Sequence, residues 1–222
     1  MFYLQDIGIW ATIKAKGFAE ESKERILSMK YQVILASGSP RRKELLELIG
    51  VKFKIITSNK EEIITSTNPE EVVKELSEMK AEDVAKNVTG PAIILGADTV
   101  VAHNGRILGK PKDREDAVRM ITSFAGDDHY VYTGVCIIRK EADGSAKTIS
   151  FAEGTKVTVY PMTAQEIERY VDSGEPMDKA GAYAIQGLFA PYIKKIAGDY
   201  YNIVGFPIAG IYQRLKEEGI SL

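Results

Sequence analysis

The stretch QVILASGSPRRKELLELIG, residues 32–50, decides how this chain is read. Gln32 to Ala36 is an apolar run of strand length. Ser39 can cap the helix that follows, and Pro40 suits its first position. Leu45, Leu46 and Ile49 then share one helical face, and Gly50 ends it. A buried strand passing straight into a helix begins an α/β fold. The junction also carries Arg41 and Arg42, although a helix start is already positive. That placement makes physical sense if a strong anion binds there. Gly38 permits close backbone approach, the free amides around Ser37 and Ser39 bind anions, and arginine grips phosphate oxygens in pairs. The plainer reading is two surface arginines matched to nearby glutamates. The pattern GxxxxGK[ST] is absent, so this is not a P-loop.

Working outward, residues 51–57 (VKFKIIT) alternate like a half-buried strand. Asn68-Pro69 opens a second helix, with Val72, Val73, Leu76 and Met79 on one stripe. AIILGADTVVA, residues 92–102, reads as a central strand interrupted by Gly96 and Asp98, and HNG (103–105) as a hairpin turn. A helix begins at Asp113. Two long strands, about 130–140 and 146–160, are joined by Asp143-Gly144. TAQE (163–166) is a capping box for a further helix, which Gly174 ends. Glycine-rich, irregular stretches follow, and a last helix starts near Pro207. The pattern predicts a mixed α/β fold: a bent sheet with flanking helices, forming two lobes around a cleft.

Residues 1–28 read as an extension outside the core, with a short charged helix from Ala19 to Leu27. Residues 29–222 read as one two-lobed domain. The chain has 222 residues, 45% hydrophobic, and a net charge of -2, which argues against a broad duplex-binding surface. A single cysteine, Cys136, and two histidines, His103 and His129, exclude a disulfide framework and Cys- or His-rich metal sites. Any metal would be held by carboxylates, which points to Mg²⁺ or Mn²⁺. No window has the ~20 apolar residues of a membrane span. The N-terminus lacks the pattern of a signal peptide, so the expected compartment is cytoplasmic.

Three features can carry chemistry. The first is the SGSPRR junction. The second is Asp98, a carboxylate in an apolar strand, costly unless it is paired or binds a metal. A strand-end turn bond is the plainer explanation. Glu61-Glu62 is a candidate companion for holding one Mg²⁺. The third is a set of lysines: Lys80 late in the second helix, Lys110 after the hairpin, and Lys179 beside Asp178. Together with the arginines they can neutralise a polyphosphate. Gln186, in a glycine-rich turn, both donates and accepts, as reading a uracil or thymine edge requires. His129 reads as a strand-edge histidine.

LASGSPRRKELLELIG, GADTVV, NGRILGKPKD, HYVYTGV, GEPMDKAGAYAIQG and GDYYNIVGFP stand in the order and spacing of one family's signature segments. From about Gln32 to Leu215 the chain resembles the Maf family, also called septum-formation inhibitor proteins. The resemblance implies a nucleoside triphosphate pyrophosphatase using a divalent metal, Mg²⁺ or Mn²⁺, in a fold similar to that of the inosine triphosphate pyrophosphatases. SPRR, ADT and IQG are similar to the branch that turns dTTP and UTP into the monophosphate and pyrophosphate. By that resemblance Asp98 is the proton acceptor, and Arg41, Thr99 and Gln186 govern substrate choice. Arg42, Glu62, Lys80 and Lys110 are further site residues. A homodimer is also implied, while the negative net charge argues against a stable nucleic-acid partner. Whether the physiological substrate is a normal or a modified pyrimidine nucleotide stays open. A rival reading is a non-catalytic regulator of cell division that binds a partner or nucleic acid. Residues 1–28 have no family counterpart, and Phe206 stands where the family usually has leucine.

Overall fold

The computed structural model describes residues 31–220 and 222. The extension at 1–28 and its expected helix lie outside them. Seven strands form one sheet: β1 (Gln32–Leu35), β2 (Phe53–Ile55), β3 (Ala92–His103), β4 (Arg106–Leu108), β5 (Asp128–Lys140), β6 (Ala146–Val159) and β7 (Ile193–Ala197). The helices are α1 (Pro40–Leu48), α2 (Pro69–Lys86), α3 (Arg114–Phe124), α4 (Ala164–Asp172), α5 (Tyr200–Val204) and α6 (Ile208–Glu217). The order across the sheet is β2-β1-β3-β5-β6-β7, with β4 also on β3. β1 runs parallel to β2 and β3, and the remaining pairs are antiparallel. The sheet is therefore mixed, as the sequence predicts.

Local signals account for most element ends. Asn68 accepts from the Glu70 amide at 2.9 Å and starts α2, while Asp113 does the same for α3 through Asp116 at 2.7 Å. Thr163 and Glu166 form the reciprocal capping box of α4. Asn104 and Gly105 both have positive φ, 47° and 72°, as a tight hairpin turn requires.

Several expectations are corrected. Ser39 occupies the α1 N-cap position but makes no side-chain capping bond. Ile49 is 40% exposed, because α1 ends at Leu48 before that face reaches the core again. The strand expected at 51–57 shortens to Phe53–Ile55. Gly96 and Asp98 do not interrupt β3, which runs unbroken over 12 residues. His129 is not at an edge: it lies on β5, between β3 and β6, and is 1% exposed. The irregular tail contains an edge strand, β7, and the five-residue α5.

Two larger hydrophobic clusters mark the two lobes, and two smaller ones lie beneath α2. Leu35, Leu46, Ile93, Leu95, Phe206 and Leu215 pack beneath α1 and α6. Val101, Phe124, Val157, Ile167 and Phe189 pack at the far ends of β3, β5 and β6 with α3 and α4. Helix α2 lies across the sheet, and glycine makes this possible. A Cβ on Gly134 would fall 2.1 Å from the Val73 carbonyl oxygen, and one on Gly96 would fall 2.4 Å from that of Ser77. The helix thus rests almost on strand backbone. Cys136 sits in the same sheet region, and burial pushes its thiol up to about 12. Among the described residues, no helix is long and apolar enough to cross a membrane.

One topological detail positions the site. β1 covers one edge of β3 only at Ala92–Leu95, and β4 covers that edge again only from Val101. Between them, residues 96–100 have no strand partner on that side. The gap between lobes opens along this bare edge.

Candidate active site

A cleft of about 880 Å³ occupies the gap. Its walls come from the β1–α1 junction, the bare edge of β3, the loop before α2, α2 itself, and the turns around residues 178–186. Of the residues picked from the sequence as site candidates, Glu61 is exposed and lies outside its walls, and the others line it. Ser37, Gly38, Ser39, Arg41 and Arg42 come from the junction, and Asp98 and Thr99 from β3. Glu62, Lys80, Lys110 and Gln186 approach from the remaining walls. Asp178 and Lys179 line it too. Five cationic side chains thus face three carboxylates in a chain whose overall charge is negative.

The two arginines differ in environment. Arg41 is partly exposed in the cleft wall. Arg42 turns inward and is 9% exposed. Its Nε donates to the Gly205 carbonyl at 2.8 Å, one terminal nitrogen to Ser37 Oγ at 2.8 Å, and the other to Thr99 Oγ1 at 3.1 Å. Burial lowers the guanidinium pKa, Asp98 opposes that, and Arg41 adds to it. Three charge-assisted bonds, about 1.5–3 kcal/mol each, offset the desolvation of such a group. Gly205 must be glycine here. Its φ is 109°, and a Cβ would stand 3.2 Å from Thr99 Oγ1.

Asp98 and Thr99 are neighbours on β3, so their side chains leave opposite faces of the sheet. Both reach the cleft because the edge between them is bare. On the α2 face, Lys80 Nζ lies 2.5 Å from Asp98 Oδ1 and 2.9 Å from Glu62 Oε1. Asp98 Oδ2 accepts no hydrogen bond from the described residues. Gly134 pairs directly with Asp98 in the sheet. Its missing side chain lets α2 descend far enough for Lys80 to meet the carboxylate.

The two carboxylates therefore converge on one cationic point. Among the described residues, no group of three or more His, Cys, Asp or Glu is gathered as a metal site. Two carboxylates beside an open cleft nonetheless suit Mg²⁺, which takes one or two protein carboxylates and completes its shell with water and phosphate. The donor set fits a hard divalent ion.

Sequence reasoning overlooked Thr133 and Asn202, which are fully buried beneath the cleft. Thr133 Oγ1 lies 2.9 Å from Thr99 Oγ1 and donates to the Asn202 carbonyl at 2.9 Å. The signal was present in HYVYTGV and DYYNIVGFP, each of which places a polar residue inside an apolar run.

An α/β protein with a basic, carboxylate-containing cleft at a strand–loop–helix junction is equipped to bind phosphates. The family model for Maf-like proteins matches residues 32–218, and this chain belongs to that family. It is 52% identical over 192 residues to the dTTP/UTP pyrophosphatase of Lachnoclostridium phytofermentans, covering 86% of this chain and 98% of that one. It is 48% identical to the dTTP/UTP pyrophosphatase of a Bacillus cereus strain, covering 86% and 97%. Among solved structures, the Staphylococcus aureus Ham1 protein aligns at 15% identity with a TM-score of 0.40, covering 84% of this chain and 99% of that one.

Proposed function

We propose that this chain hydrolyses dTTP and UTP to the nucleoside monophosphate and pyrophosphate, with a divalent metal. The observation that carries this reading is the convergence of Lys80, Asp98 and Glu62 in the same cleft as the SGSPRR junction. The names of the relatives, at about half identity over most of the chain, support the substrate class.

A triphosphate is strongly anionic, so charge neutralisation comes first. Arg41 and Lys110 are available for it, and Lys80 and Lys179 add their charge while paired with Asp98, Glu62 and Asp178. Arg42 contributes its charge while holding Ser37 and Thr99 in place. Such contacts accelerate hydrolysis only where they tighten in the transition state. Gly38 fits the same reading. Its φ is not left-handed, and a Cβ there would make only ordinary contact with Thr57. Close approach of a phosphate to the backbone remains as the use of that glycine.

Asp98 accepts the proton of the water that attacks the α-phosphorus, and pyrophosphate leaves. Lys80 engages Oδ1 and so leaves Oδ2 for this task. A carboxylate is a weak base, so it works by orienting the water and taking its proton as attack proceeds. Glu62 and Asp98 would hold Mg²⁺ or Mn²⁺, which when bound supplies further neutralisation of phosphate charge. Gln186 meets the O4 and N3–H edge of uracil or thymine. Its amide could also turn to suit cytosine, so neighbouring groups must fix its orientation.

The purified protein, incubated with a panel of nucleoside triphosphates and Mg²⁺ or Mn²⁺, should release pyrophosphate from dTTP and UTP. No release from any triphosphate would refute the proposal.

A further inference from the structure

The hydrogen-bond chain beneath the cleft has only one possible direction. A threonine hydroxyl carries one proton and accepts through two lone pairs. The Asn202 carbonyl can only accept, so the Thr133 proton goes to it, at 2.9 Å. Thr133 therefore has no proton left for Thr99, and Thr99 must donate across the 2.9 Å between them. Arg42 donates to Thr99 Oγ1 at 3.1 Å. This uses the Thr99 proton and one lone pair, and what Thr99 can still offer the cleft is a single lone pair.

Ser37, at the other end of Arg42, is polarised the opposite way. Its oxygen accepts from Arg42 at 2.8 Å and from the Ser39 amide at 3.3 Å. No described residue takes its proton, so it can donate into the cleft. Phosphate oxygens are acceptors and suit Ser37. They cannot be served by Thr99, which has nothing to donate.

We propose that Thr133 is a positioning residue that locks Thr99 as a pure acceptor, so that Thr99 recognises a hydrogen-bond donor on the nucleoside and takes no part in binding phosphate. This rests on the pyrophosphatase reading above. Two donors of the nucleoside have the required chemistry, a sugar hydroxyl and the N3–H of thymine or uracil, for which Thr99 would compete with Gln186. Thr133 sits directly opposite Thr99 in the β3–β5 register. The Asn202 carbonyl is held from below: its side-chain amide donates to Val131 O and Thr155 Oγ1, each at 2.9 Å.

The test compares kcat/KM for dTTP, N3-methylthymidine triphosphate and 2′,3′-dideoxythymidine triphosphate in the wild type, Thr133→Val and Thr133→Ser. The wild type should disfavour one analogue by about tenfold or more, since that analogue leaves a desolvated acceptor unpaired. Which analogue suffers identifies the donor. Thr133→Val frees the Thr99 proton, so the ratio should shrink to about threefold or less, and Thr133→Ser should restore it. A purely steric penalty from the methyl group would survive Thr133→Val. Each ratio is taken within one variant, so partial loss of folded protein cancels. Equal rates on all three substrates in the wild type, or a ratio unchanged in Thr133→Val, would overturn the proposal. Neutron diffraction on deuterated wild-type crystals gives an answer that needs no variant. Deuterium on Thr99 should point at Thr133, and deuterium pointing into the cleft would overturn the inference. Failure to hydrolyse dTTP would count against the proposed function, and the neutron map would still decide the direction of the chain.

Discussion

Acid should destabilise this fold through His129. The ring is 1% exposed. It packs 4.6 Å from the Phe124 centroid and hydrogen-bonds through Nε2 to Tyr183 Oη at 2.8 Å. Its Nδ1 has no hydrogen-bond partner among the described residues. Burial above all, then the charge of His103, lowers its pKa from 6.5 to about 4, against smaller opposing effects of Asp128 and Asp127. Between those values the unfolded chain binds a proton that the folded chain refuses. Stability therefore rises with pH across that window and is lost as pH falls through it. The full gap corresponds to about 3 kcal/mol, of which about 2 kcal/mol is lost by pH 5. That is a large part of the ~5–15 kcal/mol that holds a typical domain together. The assay is urea unfolding at pH 8, 7, 6 and 5 for the wild type and His129→Gln. The glutamine amide can still meet the Tyr183 hydroxyl but does not titrate. Between pH 8 and pH 5 the wild type should lose about 2 kcal/mol more than the variant. Equal losses would refute the reasoning.

Asp98→Asn should cut pyrophosphate release from dTTP by about a hundredfold or more while leaving the melting temperature nearly unchanged. Near-normal turnover in that variant would remove Asp98 from the proton-accepting role. Gly134→Ala places a Cβ 2.1 Å from the Val73 carbonyl oxygen. It should destabilise the fold by about 1–3 kcal/mol in urea titration. It should also lower turnover, because α2 must lift and carry Lys80 away from Asp98. UTP should be preferred to CTP by about tenfold, the span of one or two hydrogen bonds, and Gln186→Ala should narrow that preference. Equal wild-type activity on the two nucleotides would sink the base-reading role.

What could be read from the sequence was mostly local. The caps at Asn68, Asp113 and Thr163, the 103–105 turn and the two long strands each depend on a few adjacent residues, and all appear in the structure. Among the candidate site residues, Asp98, Arg41 and Arg42 were legible because their types conflict with their surroundings: a carboxylate inside an apolar strand, cations at a helix start. Strand β7 and helix α5 were not legible. Ile193–Ala197 alternates too weakly to mark a strand, and α5, only five residues long, is held by tertiary bonds from Asn202 to β5 and β6. Ser39 misled because cap preference says where a side chain would be useful, and not whether it turns that way. The bare edge of β3 depends on how far two separate strands extend, which no local pattern encodes.

The two arginines join the local and the distant arguments. Helical phase alone separates them: Arg42, Leu45 and Leu46 stand at i, i+3 and i+4, and all three are buried. Arg41 is one residue out of that stripe and stays in the cleft wall. A buried guanidinium survives only with partners, and Arg42 finds them on three separate segments, Ser37, Thr99 and Gly205. Fixing those partners leaves a donor at Ser37 and an acceptor at Thr99. Lysine has no planar fork of donors to tie all three together in fixed geometry. On the proposed function, the inner arginine holds the shape and polarity of the cleft, and the outer one faces the ligand. That division of labour explains why two cations stand at a helix start where the dipole alone would favour neither.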